Sequence, residues 1–167
     1  MKHGCKQLAI SLIALSSAAY SHCDAGHVAK IGTAGNLKNV GRTVQITMDD
    51  TMRFTPSRVV VKRNETIRFV LKNEGHLKHE LVLGTIKTLK AHAALMARFP
   101  QMEHADPNQA SVDAGKTGEL VWQFTKPGTV DFACLQAGHY EAGMTGQVVV
   151  VGAAAPAAAE NHDTHKH

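Results

Sequence analysis

The sequence contains no apolar run long enough to cross a membrane. Its most apolar stretch, Leu8 to Ala19, has twelve residues, whereas a membrane-spanning helix needs about 20. Two lysines precede this stretch and an Ala-Tyr-Ser cleavage site follows it, a pattern typical of a signal peptide that is removed on export. We therefore expect a signal peptide over residues 1–21, an exported protein and no membrane span.

A strong charge of one sign is also absent. The chain has 18 basic and 14 acidic residues, and removal of the two leader lysines would leave 16 against 14, a net charge of +2. No basic run is interleaved with aromatic residues, which make up only 5% of the chain. Nucleic-acid-binding domains typically carry such a basic patch, so we expect no nucleic-acid partner.

Cysteine is scarce. Of the three cysteines, Cys5 lies in the leader, which leaves Cys23 and Cys134. A chain of 167 residues can bury about 68–70% of its unfolded surface and so can fold without a disulfide, and one domain is the default at this length. The two remaining cysteines could pair in an exported protein, but the residues that follow Cys134 favour another role for it.

The sequence is rich in short β-type segments separated by turn residues. Alternation places Ile67, Phe69 and Leu71 on one face of a single segment. The predicted strands are residues 43–48, 58–62, 66–72, 80–84, 119–125, 129–134 and 146–151. Seven such strands predict an all-β fold, an antiparallel β-sandwich with Greek-key connections, for a domain over residues 43–151.

One segment departs from the strand pattern. Thr88–Phe99 is rich in alanine and leucine, Thr88 can cap its start, and Pro100 ends it, so it predicts a helix of about three turns. Residues at three- and four-residue spacing share a helix face. On this helix they are Leu89, His92, Met96 and Phe99.

The two ends of the chain carry no apolar period. Residues 22–42 contain four glycines and are expected to form a flexible N-terminal arm. Residues 152–167 combine an Ala/Pro stretch with histidines at the extreme end, a composition that predicts a disordered tail.

Cys134, His139 and Met144 form a Cys-x4-His-x4-Met motif directly after a predicted strand. A trigonal His2Cys site with a long axial Met holds copper that cycles between Cu(I) and Cu(II), whereas structural zinc sites use Cys, His and carboxylate ligands. The second histidine would be His79, at the start of another strand, with His76 as the exposed alternative. The same three residues could also be an ordinary buried cysteine, a loop histidine and a core methionine.

These residues resemble the cupredoxins, the type 1 copper proteins, and more narrowly the periplasmic cupredoxins of bacterial copper-tolerance systems. The resemblance spans roughly residues 43–151 and is carried by residues 52–73, 76–84, 99–108 and 115–150. It implies a Greek-key β-sandwich of about seven to eight strands with one short helical insert, a periplasmic location and one type 1 copper.

The resemblance also implies a role for each candidate ligand. His79, Cys134 and His139 would be the equatorial ligands and Met144 the axial one. Glu80 stands where many blue copper proteins carry Asn or Ser, so we expect its carboxylate to affect the colour and potential of the site.

A second group of soft ligands lies in the helix and the loop after it. Met96, Met102 and His104, together with His92, are candidates for accessory Cu(I) or Cu(II) binding, because thioethers favour Cu(I). The alternative for Met96 is burial of the helix face.

Two functions fit these features. The first is a monomeric protein that contributes to copper tolerance by binding copper and handling it by redox chemistry. The alternative is a soluble electron carrier, with Ala137, Tyr140 and Ala142 forming an apolar patch for a redox partner. No enzymatic activity is expected, because multicopper oxidases need several His-x-His pairs and this chain has one, His165–His167. Incidental Cu(I) oxidation stays open.

Overall fold

Two five-stranded β-sheets dominate the computed structural model, which describes residues 31–100, 102 and 105–152. The ten strands are β1 (Thr33–Ala34), β2 (Arg42–Asp49), β3 (Arg53–Thr55), β4 (Arg58–Lys62), β5 (Thr66–Asn73), β6 (His79–Gly84), β7 (Gln109–Val112), β8 (Thr117–Gln123), β9 (Gly128–Ala133) and β10 (Thr145–Val151). One sheet has the order β1-β8-β5-β2-β3 and the other β4-β10-β9-β6-β7. A short 3-10 turn spans Leu37–Asn39, and helix α1 (Ile86–Arg98) connects β6 to β7.

The all-β sandwich is confirmed, with two corrections. The described residues contain ten strands rather than seven or eight, because β1, β3 and β7 have only two to four residues each and are too short to show an alternating pattern. The sheets are also not purely antiparallel, since β2 pairs with β5 and β4 with β10 in parallel. Parallel neighbours need a crossover connection, and the chain makes one by visiting the opposite sheet.

Large side chains from both sheets form one core between them. Phe69, Trp122, Phe124 and Phe132 are at most 1% exposed. The Phe54 and Phe132 rings meet edge to face with centroids 5.1 Å apart, an arrangement that aromatic pairs prefer. Cys134 and Met144 lie in the same cluster, so these two predicted ligands are part of the interior of the sandwich.

Part of the predicted N-terminal arm belongs to the folded domain. Ile31 is 5% exposed, its carbonyl oxygen accepts a hydrogen bond from Trp122 Nε1 at 3.0 Å, and β1 pairs with β8. The flexible-arm prediction is therefore wrong for residues 31–42, and the contacts that anchor residues 31–34 are with residues some 90 positions away. Residues 1–21, 22–30 and 153–167 lie outside the described residues, and so do the predictions made for them.

Helix α1 starts earlier than the sequence predicted. Thr85 is its N-cap and accepts the Thr88 N–H, while the Thr88 side chain accepts the Thr85 N–H, which forms a reciprocal capping box. Thr88 is thus the third residue of the first turn and not the cap. Leu89, Ala93 and Met96 form the buried face, whereas His92 is only partly buried and Phe99 is 49% exposed. No helix in the described part of the chain is long and apolar enough to span a membrane.

Candidate metal centre

The pairing of β6 with β9 brings two predicted ligands together. These strands are antiparallel, with Val82 opposite Ala133, so the first residue of β6 and the last residue of β9 lie at the same end of the sheet. His79 is the first residue of β6 and Cys134 directly follows β9. Both side chains are fully buried. The sheet therefore holds an imidazole and a thiol against each other in a water-excluded position.

The ligand loop, residues 134–144, returns the chain to the same place. The Cys134 N–H donates to the Met144 carbonyl oxygen at 3.0 Å, and the Met144 N–H donates to the His139 carbonyl oxygen at 3.0 Å. Gly138 and Gly143 have φ of 85° and 90°, which is the left-handed region that glycine adopts without steric cost. The loop is thus closed on itself, with Met144 fully buried beside Cys134.

The three nitrogen and sulfur donors have the spacing that a single metal ion needs. Cys134 Sγ lies 3.3 Å from His139 Nδ1 and 4.0 Å from His79 Nδ1, and all three donor atoms lie within 4.8 Å of one another. Metal bonds of about 2.0–2.3 Å at trigonal angles would separate nitrogen and sulfur by about 3.8 Å. The three donors therefore lie close enough together to bind one metal ion. His76 is exposed and is not part of this group.

Asp50 orients the buried histidine. Its Oδ1 lies 3.2 Å from His79 Nε2, while its two carboxylate oxygens accept the backbone N–H groups of His76 at 2.8 Å and Leu77 at 3.2 Å. The His76 N–H is the main cause that lowers the pKa of Asp50, so this residue is an anion at neutral pH. A carboxylate on the outer nitrogen of a metal-ligating histidine fixes the ring and the tautomer. Asp50 could not be recognised as a partner of His79 from the sequence, because the two residues are 29 positions apart.

Burial changes the acid–base properties of the donors. It raises the pKa of the Cys134 thiol to about 12. It is also the main cause that lowers the pKa of His139, and the charge of His79 is the second cause. Without metal, the thiol is therefore protonated and His139 is neutral at pH 7. A metal ion that binds here must displace the thiol proton, so binding releases a proton.

The predicted accessory residues are only partly brought together. Met96 and Met102 line one groove of about 320 Å³ next to the centre, with Glu80, Ser111 and Gln136. Met102 is 40% exposed, while Met96 is 4% exposed and packs in the cluster under the helix. Met96 therefore packs in the buried face of the helix, which was the alternative that the sequence left open, and it also lines the groove. We call this feature the Met groove.

The two histidines of the accessory group are not placed in the Met groove. His92 is on α1 and partly buried, and it is not one of the groove-lining residues. His104 lies outside the described residues. The accessory-site assignment stays a prediction for all four residues.

Comparisons with known proteins agree with this geometry. The family model for copper-binding proteins of the plastocyanin/azurin family matches residues 40–151. The copper-resistant cuproprotein CopI of Rubrivivax gelatinosus is 55% identical over 119 residues, which cover 71% of this chain and 72% of that protein. CopI of Pseudomonas aeruginosa is 35% identical over 153 residues, which cover 74% of this chain and 84% of that protein.

A solved structure supports the fold in the same way. Auracyanin B matches with a TM-score of 0.60 and 25% sequence identity, covering 72% of this chain and 96% of its own. The expectation of a cupredoxin sandwich is confirmed, and the His79–Cys134–His139 group together with the family match identifies the cofactor as a type 1 copper. This chain belongs to the plastocyanin/azurin family of copper-binding proteins.

Proposed function

We propose that this protein is a periplasmic copper protein that contributes to copper tolerance by binding copper and cycling it between Cu(I) and Cu(II). The observation that carries the proposal is the enclosed donor set of His79, Cys134 and His139, with Met144 buried beside it. Its similarity to proteins named as copper-resistant cuproproteins supports the tolerance role.

The chemistry of the donors suits a redox couple. Thiolate and thioether favour Cu(I), whereas imidazole accommodates both oxidation states. Three of the proposed ligands lie on one closed loop, and the fourth starts β6, which is paired on both sides within its sheet. A donor set held this firmly allows little rearrangement between oxidation states, which keeps one-electron transfer in either direction fast.

Access to the copper would be through His139. His79 and Cys134 are fully buried, while His139 is only partly buried, and Ala137 and Ala142 beside it in the ligand loop are exposed. Electrons would therefore enter and leave at the exposed edge of this imidazole. The same observation supports the second candidate function, a soluble, monomeric electron carrier that docks a redox partner on this apolar surface.

The Met groove would give the tolerance function a second place for copper. Met96 and Met102 present thioethers to one groove beside the type 1 centre, and thioethers favour Cu(I). His92, His104 and the histidine-containing tail would add imidazole donors. The proposal includes no enzymatic turnover, although incidental oxidation of Cu(I) at the type 1 site is compatible with it.

The experiment compares copper tolerance in cells that lack the native gene. Cells complemented with the wild-type protein should grow at elevated copper, cells with Cys134→Ser should not, and the wild-type protein should be recovered in the periplasmic fraction. A trimmed variant without residues 153–167 and with Met102→Ala and His104→Ala should keep the type 1 site, bind less total copper per chain and restore tolerance only in part.

Two outcomes contradict parts of the proposal. If the trimmed variant binds as much copper and protects as well as the full chain, the accessory residues are passive. If the deletion impairs respiration but leaves copper tolerance intact, the electron-carrier function replaces the tolerance function.

A further inference from the structure

Glu80 is a buried carboxylate next to the copper centre. It follows His79 in β6 and is 6% exposed, and it is the only buried acidic residue among those the structure describes. Burying a charged group is costly unless hydrogen bonds compensate for the lost water. A carboxylate in this position therefore needs hydrogen-bond donors from the protein.

Both carboxylate oxygens face hydrogen-bond donors. Oε1 accepts the Leu135 backbone N–H at 3.2 Å, and Oε2 accepts from Gln136 Nε2 at 3.3 Å and from Ser111 Oγ at 3.0 Å. The Leu135 and Gln136 N–H groups can only donate, and the Ser111 hydroxyl can donate a third hydrogen bond. Three donors around two oxygens suit a carboxylate, which in its ionised form only accepts.

Glu80 is connected to the copper thiolate in two ways. Its backbone N–H donates to Cys134 Sγ at 3.4 Å, and its side chain holds Leu135 and Gln136, the two residues that follow Cys134. Glu80 is thus joined to the Cys134 sulfur through its own backbone and to the start of the ligand loop through its carboxylate.

We propose that Glu80 is a positioning residue that sets the redox preference of the copper: it anchors the ligand loop, and its negative charge stabilises Cu(II) relative to Cu(I). Cu(II) carries one more positive charge than Cu(I), and charges interact strongly in a buried, weakly polarisable environment. The reduction potential of the copper is therefore lower than it would be with an uncharged residue at position 80.

The test uses two variants that change the electrostatics in opposite directions. Glu80→Gln keeps the size of the side chain and removes the charge. Its reduction potential should therefore rise by at least about 59 mV, which corresponds to a tenfold change in the preference for Cu(II) over Cu(I) in a one-electron couple. Ser111→Ala removes one donor from the carboxylate and leaves the charge less compensated, so its potential should fall. Glu74→Gln is the matched control, because Glu74 is an exposed carboxylate paired with Lys72 at 2.6 Å.

The potentials are measured by spectroelectrochemical titration of the copper-loaded proteins at low and high salt. The Glu80→Gln shift should persist at high salt, because buried charges are screened less than exposed ones, and Glu74→Gln should stay close to the wild type. A purely structural anchor would weaken copper retention in both variants without opposite shifts in potential.

The outcomes decide the proposal in each case. Equal potentials for Glu80→Gln and Glu74→Gln overturn it, and so do shifts of the same sign in Glu80→Gln and Ser111→Ala. If Glu80→Gln does not fold, Ser111→Ala decides alone, because Ser111 is exposed on the edge strand β7: a lowered potential supports the proposal, and an unchanged or raised one overturns it.

Discussion

His79 Nε2 lies 3.2 Å from Asp50 Oδ1, while His79 Nδ1 faces Cys134 Sγ at 4.0 Å. The two ring nitrogens therefore have separate tasks. The Nε2–H donates to the carboxylate, which leaves the Nδ1 lone pair for the metal. Because His79 is fully buried, Asp50 is the group that determines the tautomer and the direction of the ring.

Replacing Asp50 should weaken copper binding without unfolding the protein. In Asp50→Ala, His79 loses the partner on Nε2, so copper affinity should fall by about 10–100-fold, as is typical when such an outer partner is removed. Competition with a chelator of known affinity measures the change. Asp113→Ala is the control, since Asp113 is an exposed acid in a turn. Equal affinities for the two variants would show that His79 needs no orienting carboxylate.

The protein loaded with Cu(II) should show an intense visible band from charge transfer between the Cys134 thiolate and copper. Cys134→Ser should abolish this band, because a hydroxyl group is not a comparable donor to copper, while the circular dichroism of the sandwich is retained. Cys23→Ser should keep the band. A band that survives Cys134→Ser would contradict the assignment of Cys134 as the copper ligand.

Met144→Gln should keep copper and lower the reduction potential. An amide oxygen favours Cu(II) more than a thioether does, so the oxidised state gains relative stability. Cyclic voltammetry and the visible spectrum of the loaded variant check this. If neither the potential nor the spectrum changes, Met144 is a core residue and another group, or none, occupies the axial position.

Thiol reactivity of the metal-free protein should report the burial of Cys134. Its pKa of about 12 compares with about 8.5 for a free cysteine, so the thiolate fraction at pH 8 is on the order of a thousandfold lower in the folded state than in the unfolded state. In a Cys5→Ser, Cys23→Ser background, a thiol reagent should react slowly with the native protein and at an ordinary rate in denaturant.

The sign of the pH dependence follows from the same shift. Because the folded pKa of Cys134 is raised, the neutral thiol stabilises the metal-free fold below about pH 8.5, and this contribution is lost as the pH rises towards about 12. Native-state reactivity should therefore increase with pH across this window. Fast reaction of the native protein at pH 8 would contradict a buried, protonated thiol.

The ligand loop was predictable because its information is local. Cys134, His139 and Met144 lie within eleven consecutive residues, and the two glycines between them adopt the positive φ angles that the sequence suggested. The strand alternation that predicted the sandwich is equally local, and most strand boundaries differ by one or two residues. The ligand motif and the strand pattern are enough to predict these features, because both the donor types and the β-strand alternation can be read from neighbouring residues.

What the sequence could not determine depends on contacts between distant segments. The short strands β1, β3 and β7 exist because longer strands beside them provide hydrogen-bond partners. The hydrogen bond between Asp50 and His79 and the three hydrogen bonds to the Glu80 carboxylate connect residues that are between 29 and 56 positions apart. The amino-acid sequence by itself therefore determined the fold class and the type of metal ligand. Tertiary structure alone decided which carboxylates lie beside those ligands. The pairing of β6 with β7 and β9 surrounds Glu80 with its donors, and the turn after β2, in the opposite sheet, brings Asp50 to His79.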